Sequence, residues 1–132
     1  FKLSEAIFGG NPQRVQRMLD GLQAEGVAEV LVHYTLAEDI RALKRVKDAM
    51  QQGKPLPMAL RENRIWGNKE KLFERALPRI SAAILAELLQ SAHRVDGIIK
   101  GLKQPDWPQS GWQALHQLAQ TLCQLCMVKN RK

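Results

Sequence analysis

The stretch Ser81-Ala-Ala-Ile-Leu-Ala-Glu-Leu-Leu-Gln-Ser-Ala-His-Arg-Val-Asp-Gly-Ile-Ile-Lys-Gly-Leu102 decides the fold. Leu85, Leu88, Ala92, Val95, Ile99 and Leu102 recur in it at steps of three and four without a slip. That period makes one side of a helix apolar along its length, a side that must lie against a neighbour. Ser81 supplies the N-cap, and Asp96 and Lys100 stand four apart in the favourable acid-first order, adding roughly 0.2–0.5 kcal/mol.

Toward the C-terminus, Lys103 to Gly111 holds two prolines and a glycine and reads as a loop carrying Trp107. A last helix is expected from Trp112 to Val128, with Trp112, Leu115, Leu118, Leu122 and Leu125 on one face. The tail Lys129–Lys132 is basic and expected to fray.

Toward the N-terminus, Asn63 to Ser81 is the least generic part of the chain. It places Trp66 in a polar setting, then a short helix from Asn68 to Leu77 with Leu72, Phe73, Ala76 and Leu77 inward, stopped by Pro78. Trp66 is expected to pin that helix onto the bundle and find a partner for its indole N–H. An exposed anchor at a subunit interface is the alternative. Before it, Met58 to Arg61 offers a turn or two of helix, and Gly53-Lys54-Pro55-Leu56-Pro57 is a break. Val27 to Gln52 is the longest periodic segment, with Leu36, Ile40, Leu43, Val46 and Met50 inward and Glu38, Asp39, Arg41, Lys44, Arg45, Lys47 and Asp48 mostly opposite. Asn11 caps a further helix that has Pro12 at its first position, Val15, Met18, Leu19 and Leu22 on its apolar face, and Gly26 at its end. Phe1 to Phe8 reads as a short opening helix, ended by Gly9-Gly10.

These elements make an all-α protein: a single compact bundle of about five to seven helices over residues 1–132. Composition agrees, since the apolar weight lies in Leu, Ala, Ile and Val without β-branched runs. A chain of this length buries about two-thirds of its unfolded surface and needs no metal or disulfide to hold it. No apolar stretch approaches the roughly 20 residues of a membrane span. The first residue is Phe1, already in a helical pattern, so the chain is expected to be the C-terminal part of a longer one.

Catalytic chemistry finds little support. Cys123 and Cys126 have Cys-x-x-Cys spacing, but zinc wants four ligands and a redox pair wants a βαβ context. Two buried thiols beside a leucine stripe are the expectation, with an enzyme fragment using them as metal or redox residues the least favoured reading. Gly53-Lys54-Pro55 lacks the rest of a phosphate-binding loop. His33, His93 and His116 fall on three different helices with no nucleophile beside them, and read as ordinary helix histidines. No catalytic residue, metal or cofactor is expected.

The charge of +7 makes an acidic partner, nucleic acid included, worth weighing. Acids interrupt both basic clusters, however. Glu38, Asp39 and Asp48 border Arg41, Lys44, Arg45 and Lys47, while Glu62, Glu70 and Glu74 interleave with Arg61, Arg64, Lys69, Lys71, Arg75 and Arg79. A solvated or partner-facing surface is expected there, with a phosphate-tracking site the alternative.

Several pieces, taken in order and spacing, resemble the C-terminal domain of the delta subunit of the bacterial DNA polymerase III clamp loader. They are the opening helix ending Gly9-Gly10, the helix ending Glu25-Gly26, the long third helix, Arg64-Ile65-Trp66-Gly67-Asn68-Lys69, Ala76-Leu77-Pro78-Arg79-Ile80-Ser81 and Asp96-Gly97-Ile98-Ile99-Lys100-Gly101. The resemblance implies a noncatalytic, collar-type oligomerisation domain in the bacterial cytoplasm. Through it the subunit would join the gamma or tau and delta-prime subunits in a five-membered ring that loads the sliding clamp onto primed DNA. Contact with the clamp itself would belong to amino-terminal domains absent from this chain. Arg64, Trp66 and Lys100 are the expected interface residues. The competing function is a basic helical nucleic-acid-binding domain.

Overall fold

The computed structural model describes residues 2–127. The elements are α1 (Leu3–Phe8), α2 (Pro12–Ala24), α3 (Glu29–Gln51), α4 (Leu56–Glu62), α5 (Asn68–Ala76), a 3₁₀ turn (Leu77–Arg79), α6 (Ala82–Ile99) and α7 (Gly111–Cys126). Among the described residues there is no strand.

The helices begin where capping chemistry allows. The Asn11 side chain accepts from the Arg14 N–H at 3.1 Å, ahead of Pro12. Ser81 Oγ accepts from the Ile84 N–H at 3.1 Å, and Ser110 Oγ from that of Gln113 at 3.4 Å. Each satisfies one of the N–H groups that a first helical turn leaves unpaired.

Their ends share one device. After α1, α2, α3, α4 and α6 a residue of positive φ follows the cap, and the next N–H returns to a carbonyl of the last turn, as Asn11 does to Ala6 and Leu102 to Gly97. Glycine holds the positive-φ position in four of these, at Gly10, Gly26, Gly53 and Gly101; Arg64, with φ 60°, holds it after α4. Gly10 is needed twice over, because a Cβ there would also come within 2.9 Å of Met127 Cα.

One connected core fills the bundle. α6 lies between α3 and α7, and α7 also covers α1 and α2, while α4 packs on α3 and α5 leans on α1. Leu36, Ile40, Leu43 and Val46 of α3 meet Leu85, Leu88, Ala92 and Val95 of α6 in this core, all of them buried. Phe8 and Phe73 join α1 to α5 edge to face, their ring centres 5.5 Å apart and the planes at 89°.

The structure corrects the sequence at four places. Pro57, expected in a break, sits in the first turn of α4, where its missing N–H costs nothing, whereas α5 does end just ahead of Pro78. The α6 seam runs to Val95 and then passes to Ile98, while Leu102, beyond the left-handed Gly101, is 62% exposed. Asp39, expected on the polar side of α3, is 2% exposed. Trp66, expected to pin α5, is 63% exposed. Phe1, Val128 and the basic tail fall outside the described residues.

Candidate interaction surface

The turn between α4 and α5 puts Trp66 outside by a sequence of backbone constraints. Arg64 takes the left-handed conformation, its N–H reaching the Arg61 carbonyl at 3.0 Å, and the Ile65 N–H then reaches the Leu60 carbonyl at 2.9 Å. That closure turns Ile65 down beside Leu60, both buried. Trp66, next in line, faces out. Gly67 follows at φ 68° and ψ −142°, a conformation nearly confined to glycine, and α5 starts from there.

Polar contacts tie this region to α1 and α3. Arg45 Nε donates to Asn63 Oδ1 at 3.1 Å and Asn63 Nδ2 to the Ala59 carbonyl at 2.8 Å. Lys69 Nζ lies 2.9 Å from Asp39 Oδ1, whose second carboxylate oxygen accepts from Ser4 Oγ. Lys47 Nζ donates to the Leu77 carbonyl at 2.7 Å, and Arg75 to that of Gly9 at 3.3 Å. Buried charge with one partner is costly, so Lys69 and Ser4 together satisfy Asp39 and fix α1, α3 and α5 relative to one another. The exposed indole therefore stands on a braced platform.

Lys100, exposed at the end of α6, donates to Asp96 Oδ2 at 2.8 Å. This hydrogen bond holds the Asp96 carboxyl below its ordinary pKa against slight burial, with further help from the Lys100, His33 and His93 charges. Asp96 in turn lines a cleft of about 360 Å³ between α3 and α6, together with Val30, His33, Tyr34, Ala37, Arg41, Leu89, Ala92 and His93. His33 Nε2 donates to the Ala92 carbonyl at 2.7 Å, which fixes the proton on that nitrogen.

The two regions meet along α3. Arg41 Nε bonds Glu38 Oε1 at 3.2 Å, Arg45 bonds Glu38 Oε2 at 3.3 Å, and Arg45 also reaches Asn63. The two guanidiniums hold Glu38 below the ordinary carboxylate range, outweighing the burial that opposes it. Arg64 and Trp66 thus share one turn, Lys100 meets the cleft only through Asp96, and a polar strip of α3 lies between.

The sequence did not single out Val30, Leu31 and Tyr34, all exposed large side chains on the first turns of α3. A signal was present: Val30-Leu31-Val32 is an unbroken apolar run, and three successive helical residues cannot share one face. His33 and His93, on different helices, are brought to one cleft by the packing of α3 on α6.

The family described as the C-terminal part of the processivity clamp loader gamma complex of DNA polymerase III matches residues 1–129. The chain belongs to that family. It is 28% identical over 123 residues to DNA polymerase III subunit delta of Escherichia coli, covering 93% of this chain and 34% of the relative. To subunit delta of Haemophilus influenzae it is 26% identical over 131 residues, covering 93% of this chain and 37% of the relative. The chain therefore spans about a third of the length of these relatives. No solved structure matches it.

Other polar groups of this delta-type domain are arranged for structure. Cys123 and Cys126 are free and buried, and burial pushes both thiols up, Cys126 to about 12 with Cys123 adding to the effect. Such thiols are neither nucleophiles nor ready metal ligands at neutral pH. His116 Nε2 lies 3.4 Å from Asp20 Oδ1, between α7 and α2. Among the described residues no three His, Cys, Asp or Glu side chains are grouped to hold a metal ion, and no helix is long and apolar enough to cross a membrane.

Proposed function

We propose that this chain is the noncatalytic collar domain of a clamp-loader delta subunit. In this role its bundle holds the subunit in a five-membered ring with gamma or tau and delta-prime subunits, in the bacterial cytoplasm. The observation that carries it is the family match over residues 1–129. The arrangement of side chains supports the same role: a closed core leaves Val30, Leu31 and Tyr34 exposed on α3 and Trp66 exposed on the braced turn between α4 and α5, the character of an association surface. Arg64, Trp66 and Lys100 are assigned to that surface. Clamp opening and contact with the sliding clamp belong to segments outside this chain, and the domain serves a polymerase holoenzyme without itself transferring nucleotides.

A nucleic-acid-binding role has less behind it. Of the cations around Trp66, Lys69 is committed to Asp39, and Arg75 and Arg79 donate to the Gly9 and Arg75 carbonyls. The Lys69 pair removes one charge, and the carbonyl contacts hold two guanidiniums against the fold, where a phosphate-tracking groove would need them turned outward.

The test is size-exclusion chromatography of the purified domain with gamma, tau and delta-prime subunits of its own organism. Co-elution is expected, with no nucleotide hydrolysis by the domain alone. Separate elution at high concentration from every one of them would reject the role.

A further inference from the structure

We propose that the α3–α6 cleft is the seat for a helix of a neighbouring clamp-loader subunit, one that presents an apolar side chain flanked by carboxylates. This rests on the collar role and specifies the surface and the chemistry of its partner.

The floor of the cleft is small and apolar, formed by Ala37, Ala92 and Leu89, and its volume of about 360 Å³ has room for a large side chain. Val30 and Tyr34 line one wall and stand exposed, Tyr34 at 63%, with Leu31 beside them. An aromatic with an apolar body and a polar tip, fixed on a helix, loses little entropy when covered.

The charges on the rim select the partner. Asp96 is neutralised by Lys100 at 2.8 Å, and Glu38 is shared by Arg41 and Arg45 at 3.2 and 3.3 Å. Arg41, Arg45 and Lys100 thus face two carboxylates, which leaves one positive charge in excess around the cleft, and His93 adds a ring nitrogen to its lining. A carboxylate arriving at Arg41 would complete a pair that Glu38 only half satisfies. A second copy of this chain is the wrong occupant, since two bodies of charge +7 repel. A stable contact buries about 800 Å² on each side, so the cleft would be its centre and Lys100 part of its rim.

The test uses the full-length protein, wild type and with Tyr34→Ala or Arg41→Gln, titrated against the gamma, tau and delta-prime subunits. Each variant is expected to bind one of these about tenfold or more weaker while melting at the wild-type temperature, and Arg41→Gln should also flatten the fall of affinity with salt. Wild-type affinity in both variants would overturn the proposal, and if Trp66→Ala still weakened assembly, the collar role would survive it. Loss in the variants of self-association alone, or of DNA binding alone, would overturn it in favour of those occupants. Failure of the wild-type protein to join any clamp-loader subunit would overturn the collar role, and this seat with it.

Discussion

Lys69 Nζ and Asp39 Oδ1 are 2.9 Å apart, and they join the first turn of α5 to the middle of α3 across thirty residues of sequence. Asp39 is buried whereas Lys69 is 43% exposed, so the pair is neither a surface bridge nor a dry one. Lys69→Met leaves the carboxylate buried with Ser4 alone, at an expected cost of about 1–3 kcal/mol, less than for a fully buried pair because water can reach the vacated side. Adding Asp39→Asn should recover part of the loss, since a neutral amide is cheaper to bury. Urea denaturation of the two single variants and the double checks this; strictly additive losses would contradict the pairing.

The thiols give a second prediction. Cys123 and Cys126 should resist a thiol reagent at neutral pH in the folded protein and react together once urea unfolds it. A raised folded pKa favours the protonated native state, so its contribution is complete below the ordinary thiol value of 9.0 and lost as pH rises toward about 12. Denaturation midpoints measured across the alkaline range should fall in step, and rapid native-state labelling at pH 7 would refute the buried environment.

How far the sequence reached can be judged residue by residue. Local signals placed the helices: Asn11-Pro12 and Ser81 start α2 and α6, and the three-four spacing from Leu36 to Val46 and from Leu85 to Val95 put the right residues in the core. What failed was non-local. Asp39 looks polar in its own helix and is buried only because Lys69 and Ser4, distant in sequence, converge on it. Trp66 looked like an anchor by size, but the left-handed turn at Arg64 gives the inward position to Ile65. The cleft was invisible because its lining comes from two helices whose relative rotation no single-helix period encodes. Family resemblance, carried by ordered short motifs, reached further than site chemistry, which depends on those long-range contacts.

Asp96 supplies a pH test. Its carboxyl is depressed chiefly by the Lys100 hydrogen bond, so its contribution is present above the ordinary value of 3.8 and disappears as pH falls through the lower folded value. The exposed pair is worth only about 0.2–0.5 kcal/mol after screening. Wild type should exceed Asp96→Asn by that margin at pH 6 and lose the margin in acid. A margin unchanged down to pH 2 would show that the amide had disturbed packing instead.

Arg64 is the one non-glycine residue among the five helix-ending turns, and it takes φ 60° at a cost that glycine avoids. Arg64→Gly should raise stability by up to about 1 kcal/mol, the relief of strain being partly offset by the freer unfolded chain. Arg64→Val, branched at Cβ, should lower it by more than about 1 kcal/mol. If both variants melted alike, the turn would not be held left-handed. A Gly variant that is stabilised yet assembles poorly would mark the guanidinium as retained for binding.

Ile65 and Trp66 are neighbours whose substitutions should have opposite consequences. Ile65 is 6% exposed against Leu60, so Ile65→Ala removes core contact and should cost about 2–5 kcal/mol. Trp66 is ten times as exposed, and Trp66→Ala should change stability by no more than about 0.5 kcal/mol despite the larger side chain removed. Thermal melts of the two variants separate these outcomes. If Trp66→Ala instead melts far below wild type, the indole is packed and the outward turn is wrong. If it melts normally and full-length protein carrying it assembles more weakly with clamp-loader subunits, the braced turn between α4 and α5 exists to present that ring. Size alone would have suggested the reverse order, and the left-handed Arg64 is what inverts it.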